Sequence, residues 1–318
     1  KGLEDGESAY YLAAGPARVD FVLTRAPRRT EEIVVKAVRA DERTPVTKTD
    51  VGQEELQAVN RGQEMPFLLS ATPAVNVNSD NGLAAGYSYF NIRGIGQTRL
   101  NVTLDGVPLQ DPEDQALYFS NFGDFASVVD SIQVQRGVGT SSVGSASYGG
   151  SVNFASVSPS DRRGLEAQVG GGSWGTGRGT LAGNSGLIGR AWGLYARASG
   201  QTTSGFRDHS GVDQGTLYYG ATRSGARSLF KLFGFSGREE TQLAFLATDE
   251  ATLEDDLRAN PLSPEETDRF GQAFVQAQYT HLAGTSTTLT AQAYYNGAQG
   301  WFRIWDGGRE NLQQYGID

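Results

Sequence analysis

The 318-residue chain contains no cysteine, which removes disulfides and thiolate metal sites together. No stretch of about 18 apolar residues occurs, so no transmembrane helix is encoded. Barrel strands are not excluded by that, because they carry only alternating apolar residues. Cations are in the minority, 27 Lys and Arg against 36 Asp and Glu, for a formal charge of -9. No basic run is interleaved with aromatics, and phosphate binding needs clustered cations. Nucleic acid is therefore not an expected partner. No leader-like segment opens the chain, since Lys1 to Tyr10 is polar and acidic. His209 and His281 are isolated, without metal-ligand spacing, and no Ser/His/Asp set stands out. Neither an enzyme nor a cofactor is expected.

Glycine, by contrast, is abundant. The chain has 42 glycines but only 10 prolines, with aromatics at 10%; the usual glycine share is roughly 7%. That mixture suggests many strands and turns, or a barrel.

Along the chain, Val19, Phe21 and Leu23 alternate with Arg18, Asp20 and Val22 as one strand, and Ala26 to Thr30 reads as a linker. Glu31, Glu32, Ile33, Val34 and Val35 form a short β-prone segment between an acidic pair and a charged stretch. Such a segment is an ordinary edge strand or one awaiting a partner. Residues 51–160 read as a compact α+β domain. Gln53 to Leu69 has helical spacing, and strands are expected at Ala74–Val77, Tyr89–Arg93, Asn101–Leu104 and Ser131–Gln135. Asp105-Gly106 and Arg136-Gly137 supply turn chemistry. Residues 137–150, with five glycines among serines, read as turns or close backbone packing.

From about residue 163 the pattern becomes about seven alternating strands. In one, Gly271, Ala273, Val275, Ala277 and Tyr279 oppose Gln272, Gln276, Gln278 and Thr280; in another, Trp192, Leu194, Ala196 and Ala198 oppose Arg190, Tyr195, Arg197 and Ser199. A soluble sandwich and a membrane barrel both satisfy this alternation. Short links at 184–189, 224–226 and 283–286 alternate with longer ones at 201–213, 237–268 and from 297 onward, the habit of an outer-membrane barrel.

Four segments between residues 66 and 150 resemble, in order and spacing, signatures of the TonB-dependent receptor family. They are Pro66-Phe67-Leu68-Leu69 through Thr72-Pro73-Ala74-Val75, Asn91-Ile92-Arg93-Gly94, Thr103-Leu104-Asp105-Gly106-Val107-Pro108-Leu109, and VDSIQVQRGVGTSSVGSASYGG at 129–150. The resemblance implies an α+β plug domain at 51–160, followed at 161–318 by antiparallel transmembrane β-barrel strands. Family barrels have about 22 strands. At about 10 residues per strand they need roughly 220 residues before loops, so the barrel is expected to be incomplete here, a fragment or one with strands beyond Asp318. Residues 1–30 resemble the end of an immunoglobulin-like domain. Residues 31–50 become the TonB box and linker, with Glu31, Glu32, Ile33, Val34 and Val35 adding as a strand to TonB, the partner energised by an inner-membrane complex.

The resemblance further implies that Arg93 and Arg136 lock plug to barrel through barrel glutamates. It places substrate contacts on three plug loops: Asp80, Asn81 and Tyr87; Gln97 and Arg99; Gln110, Asp111, Tyr118 and Phe119. The implied function is active import of a scarce nutrient, an iron chelate of siderophore type, across the outer membrane of a Gram-negative bacterium. Outer-membrane lipid and a surface lipoprotein are further expected partners. An oligosaccharide importer, a signalling or colicin-type receptor, and a soluble adhesive β protein are the alternatives. Three weaker motifs are set aside. Gly137-Val138-Gly139 with Gly144 lacks the Lys-Ser/Thr of a phosphate loop. Asn76, Asn78, Asp80 and Gly82 lack the spacing and terminal Glu of a calcium loop, and Asp111, Glu113 and Asp114 read as solvated turn residues.

Overall fold

A computed structural model describes residues 39–40, 46–111, 113, 115–137, 148–159, 163–189, 191–284 and 287–304. The segment Glu31–Val35 lies outside them, as does the strand expected near Phe21.

The first unit begins with β1 (Thr47–Gly52) and two short helices, α1 (Gln53–Val59) and α2 (Met65–Leu68). One continuous helix over 53–69 was expected. The break falls where the Asn60 side chain takes the N–H of Gly62 (2.9 Å), and Pro66 then opens the second helix, a position where its missing N–H costs nothing. Next come β2 (Val75–Ser79), β3 (Ser88–Ile92), β4 (Ile95–Gly96), β5 (Asn101–Leu104), β6 (Val107–Pro108), β7 (Val129–Arg136) and β8 (Gly150–Ser156). Strands β2, β3 and β4 form one small sheet; the other has the order β1-β7-β8-β5-β6, with β5 parallel to β8. Asp105 (φ 49°) and Gly106 (φ 83°) make the tight turn between β5 and β6, the left-handed pair that Asp-Gly favours.

The second unit is a seven-stranded sheet: β9 (Arg163–Gly171), β10 (Gly177–Ser185), β11 (Trp192–Thr203), β12 (Val212–Ser224), β13 (Ser228–Gln242), β14 (Thr267–Leu282) and β15 (Thr288–Arg303). Each strand pairs antiparallel with its sequence neighbour, and β9 and β15 are open edges. The link from 243 to 266 carries a one-turn helix, α3 (Glu250–Asp255). The expected loop from 297 onward is still strand to Arg303, because Gly297 and Gly300 continue the pairing with Ala273 and Phe270.

Burial separates the two readings left open by alternation. Leu165, Val169, Leu181, Leu194, Leu217 and Tyr279 are exposed, while Arg197, Gln214, Thr216, Gln272, Gln276 and Thr280 are buried. A water-soluble sandwich would bury the apolar stripe. Here the polar stripe faces the first unit and the apolar stripe faces out, the arrangement of a membrane barrel around a filled lumen.

A few aromatics interrupt the polar inner face, and they mark where the two units join. Phe119, Phe122, Phe125 and Phe154 form the centre of the first unit's core, and all are fully buried. Phe122 stacks on Phe235 of β13 (4.6 Å), which stacks in turn on Phe274 of β14 (5.3 Å). The Tyr218 hydroxyl of β12 donates to the Phe122 carbonyl at 2.6 Å. Gly237 permits this approach, since any Cβ there would overlap the Asn121 carbonyl.

Candidate functional site

The seam between the two units is polar and charged. In three of its contacts, at Asp124, Asp105 and Glu64, an acid of the first unit meets cations and amides of the sheet. Asp124, held in a left-handed turn (φ 65°), receives Arg197 Nε at Oδ2 (2.6 Å) and both Arg178 and Ser127 at Oδ1. Arg197 is 3% exposed and also reaches Thr180 and Glu166. Asp105, 1% exposed, accepts from Ser156 N–H (2.9 Å) and Gln276 Nε2 (2.7 Å), with Lys231 Nζ at 3.3 Å. Its carbonyl accepts from Gln278 and Gln292, each at 3.1 Å. Burying such charges is tolerable only because each is paired and hydrogen-bonded. Asp105 had been assigned turn chemistry alone, and Asp124 no role. The Asp-Gly signal is local, but the cation that meets Asp105, Lys231, lies over a hundred residues away.

A third contact is titratable. Glu64 is fully buried between α1 and α2, where Gln214 Nε2 donates to Oε1 at 2.8 Å. Burial pushes its carboxyl up to about 7, against the pull of the Gln214 bond; the nearby Asp124 pushes the same way. The folded state therefore keeps this proton at pH values where the unfolded chain has released it. Its stabilising contribution is full below the ordinary Glu range and disappears as pH rises through about 7. Wild type should lose up to about 3 kcal/mol of stability between pH 4.5 and pH 8 through this group. Denaturation midpoints of wild type and Glu64→Gln across that range check this; an unchanged slope in the variant would refute it. Asp80 adds a slope of the same sign, as burial raises it to about 6.

The substrate-contact residues named from sequence fall into three groups. Asp80, Asn81, Tyr87 and Tyr118 lie at the apex of the first unit, beside the 204–211 and 243–266 links. The Tyr87 hydroxyl donates to Asp268 at 2.6 Å and its ring meets Tyr118 edge-on at 5.6 Å. The Asp80 carboxyl accepts from Tyr89 at 3.2 Å. Arg99 is exposed and its guanidinium donates to the Tyr148 hydroxyl at 2.5 Å; Asp111 caps a turn through Glu113 N–H (2.7 Å). Gln97, Gln110 and Phe119 are buried inside the first unit. There Gln97 donates to the Leu117 carbonyl (2.7 Å) and Gln110 to that of Leu100 (2.7 Å), so both amides brace the loops that carry the exposed residues.

Arg93 is exposed, with φ 54°, and its guanidinium reaches toward Gly137. Arg136 donates to Thr49 Oγ1 (2.7 Å) and to the Lys48 carbonyl within the first unit. Among the described residues neither arginine forms an ion pair with the sheet. Arg39 donates to the Ser131 and Asn153 carbonyls (2.9 and 2.8 Å), and the Gln133 side chain holds the backbone of Ala40. The segment entering β1 is thereby bolted to β7.

Residues 40–151 match the family model described as TonB-dependent Receptor Plug Domain. No curated protein matches the chain. Among solved structures it is similar to the ferric citrate transporter FecA in unliganded form, with TM-score 0.69 at 20% identity over 82% of this chain and 41% of that one. It is also similar to the ferric-catecholate import receptor Fiu of E. coli K12 (TM-score 0.66, 16% identity, 82% and 40% covered). A third likeness is to the ferripyoverdine receptor of the Pseudomonas aeruginosa outer membrane (TM-score 0.67, 14% identity, 88% and 39% covered). The chain thus spans about two fifths of the length of these structures, and at such identities the likeness is one of fold. Residues 40–151 are thus a TonB-dependent receptor plug domain by their family match, and the plug together with the polar-inside strands that follow it has the fold of these receptors, a plug seated against antiparallel strands of an incomplete barrel.

Proposed function

We propose that this chain is the plug and N-terminal barrel portion of a TonB-dependent importer in the outer membrane of a Gram-negative bacterium, and that its cargo is an iron chelate of siderophore type. The observation that carries the reading is the inside-out burial of the strands. A sheet with a lipid-compatible outer face and a polar inner face closed over a separate domain suits a gated lumen better than a catalytic pocket. The relatives named above carry ferric citrate, ferric catecholates and ferripyoverdine in their descriptions, which supports an iron chelate over an oligosaccharide.

In this reading Glu31, Glu32, Ile33, Val34 and Val35 add as a strand to an edge of TonB, with main-chain hydrogen bonds supplying the affinity. A pull transmitted through Arg39 reaches β1 first. That strand is an edge of the plug sheet and pairs only with β7, so it can be peeled away without breaking a second ladder. Ligand contacts come from Asp80, Tyr87, Arg99, Asp111 and Tyr118, with the buried Asn81, Gln97, Gln110 and Phe119 shaping their loops. Arg93 and Arg136 are proposed to meet acids on barrel strands other than those described here.

The test is growth on defined iron chelates or defined glycans as sole source, with and without residues 31–35. Deletion should abolish uptake while leaving ligand binding at the cell surface unchanged. Undiminished uptake would remove the TonB-box assignment, and growth dependent on a glycan but not on iron would replace the cargo.

A further inference from the structure

The 243–266 link is the longest between the seven strands; Arg258 and Asn260 tie it to the neighbouring 204–211 link through Phe206 O (2.7 Å) and Asp208 O (3.0 Å), and one side chain of that neighbour joins both arms of the link to the plug. Arg207, between β11 and β12, directs its guanidinium into a nest of carbonyl oxygens. Nη2 donates to Leu246 O (2.9 Å), Thr248 Oγ1 (3.0 Å) and Ala259 O (3.1 Å), and Nη1 donates to the Ala244 carbonyl. These acceptors lie on both arms of the link, so the arginine closes it upon itself. Nη1 also donates to the Asp80 carbonyl of the plug at 3.3 Å. The same stretch is stitched to the plug by its backbone, because the N–H groups of Phe206 and Arg207 both donate to the Asn81 carbonyl, at 3.0 and 3.2 Å. The Phe206 ring lies against Gly82 so closely that a Cβ there would sit 2.9 Å from it.

Charge alone does not explain this residue. Its hydrogen-bond partners are neutral oxygens spread over three segments, and only a planar fork with five donors can serve them together. Lysine, a point donor on a flexible stem, cannot span them.

We infer that Arg207 is a positioning residue that makes the 243–266 link and the plug apex at 80–82 one mechanical unit, so that a displacement of the outer link is felt at the plug backbone. This rests on the importer reading only for its direction, from outer surface to plug. The physical claim is a coupling between two segments, and coupling is reciprocal.

The experiment is hydrogen exchange on the full-length receptor in detergent, without ligand. It compares wild type with Arg207→Ala, Arg207→Lys and Gly82→Ala. Both arginine variants should exchange faster, by about tenfold, in 243–266 and in 78–82 together, the size usual for such couplings. Gly82→Ala perturbs the plug side by pushing on Phe206, and it should speed exchange in 243–266 through the contacts that Arg207 and Arg258 make with that stretch. Protection of β5 at 101–104 should stay at the wild-type level in all variants and reports an intact plug core. Faster exchange confined to 243–266 would overturn the inference, as would an Arg207→Lys protein indistinguishable from wild type. If the arginine variants do not fold, Gly82→Ala alone decides it, since unchanged exchange in 243–266 also overturns it. No readout involves uptake, so failure of the importer reading and failure of this coupling are separately visible.

Discussion

Replacing Asp124 by Asn should destabilise the plug in its barrel by about 3–5 kcal/mol, the usual cost of removing one partner from a buried pair. Two guanidiniums depend on that carboxylate, and Arg197 is 3% exposed. An amide can replace a hydrogen bond but not the charge, so Arg197 would remain buried with only the half-exposed Glu166 nearby. The same argument applied to Asp105 and Lys231 permits a cleaner measurement. Asp105→Asn keeps a residue that tolerates the left-handed turn but leaves Lys231 without its carboxylate. Lys231→Met alone should cost less, because Asp105 retains Ser156 and Gln276 as donors. The double variant should recover part of the Asp105→Asn loss, since apolar replacement of a buried pair is often near neutral. Denaturant midpoints of the four proteins, followed by exchange protection in β5, give the cycle. Strict additivity would mean that the two groups do not interact.

Phe235→Ala should cost about 3–5 kcal/mol as well, by a different mechanism. Phe235 is fully buried between Phe122 of the plug and Phe274 of the adjacent strand. Removing the ring deletes both stacking contacts and leaves a void that the β-ladder, fixed by its pairing to β12 and β14, cannot collapse to fill. The consequence is functional because this is the apolar joint in an otherwise polar seam. Loss of Phe235 should loosen the 119–128 segment, visible as faster exchange there and as ion leakage through receptors reconstituted in planar bilayers. Phe235→Leu, which keeps most of the volume, should restore much of the loss. Wild-type protection of 119–128 in Phe235→Ala would show that the polar contacts hold the plug unaided.

In the proposed importer, pairing strength and gating draw on the same residues. The seam combines ion pairs, which are costly to break singly but responsive to water entry, with one aromatic joint. Glu64 sits among them as the group whose proton is retained near neutral pH. A plug held this way is firmly seated yet contains, in its polar part, contacts that hydration can replace when the domain is loosened.

How much of this was readable before the fold was known depends on the range of each signal. Local periodicity gave about seven strands past residue 163, in agreement with β9 to β15, and Asn101–Leu104 was placed residue for residue. Strand ends were missed where pairing carries a strand past its local pattern, as in β15 to Arg303. Strands β1 and β8 went unseen because each is defined by a partner far along the chain: β1 by β7, and β8 by β5 and β7. The single helix expected over 53–69 was divided by side-chain chemistry at Asn60 that propensity does not register.

By itself the sequence determined the class of each segment: a glycine-rich α+β domain with four ordered motifs, then strands with one apolar and one polar face. Those properties are set by neighbours in the chain, through side-chain alternation and turn chemistry. Alternation alone could not determine which face would be buried, because a period of two is symmetric between core-in and lipid-out; only the resemblance implied lipid-out, and the burial of the polar stripe shows it. Nor could the sequence reveal that Asp124 would meet Arg178 and Arg197, or that Arg207 would gather three segments. Such contacts join residues separated by tens to more than a hundred positions, and only closure of the sheet over the plug brings them within bonding distance.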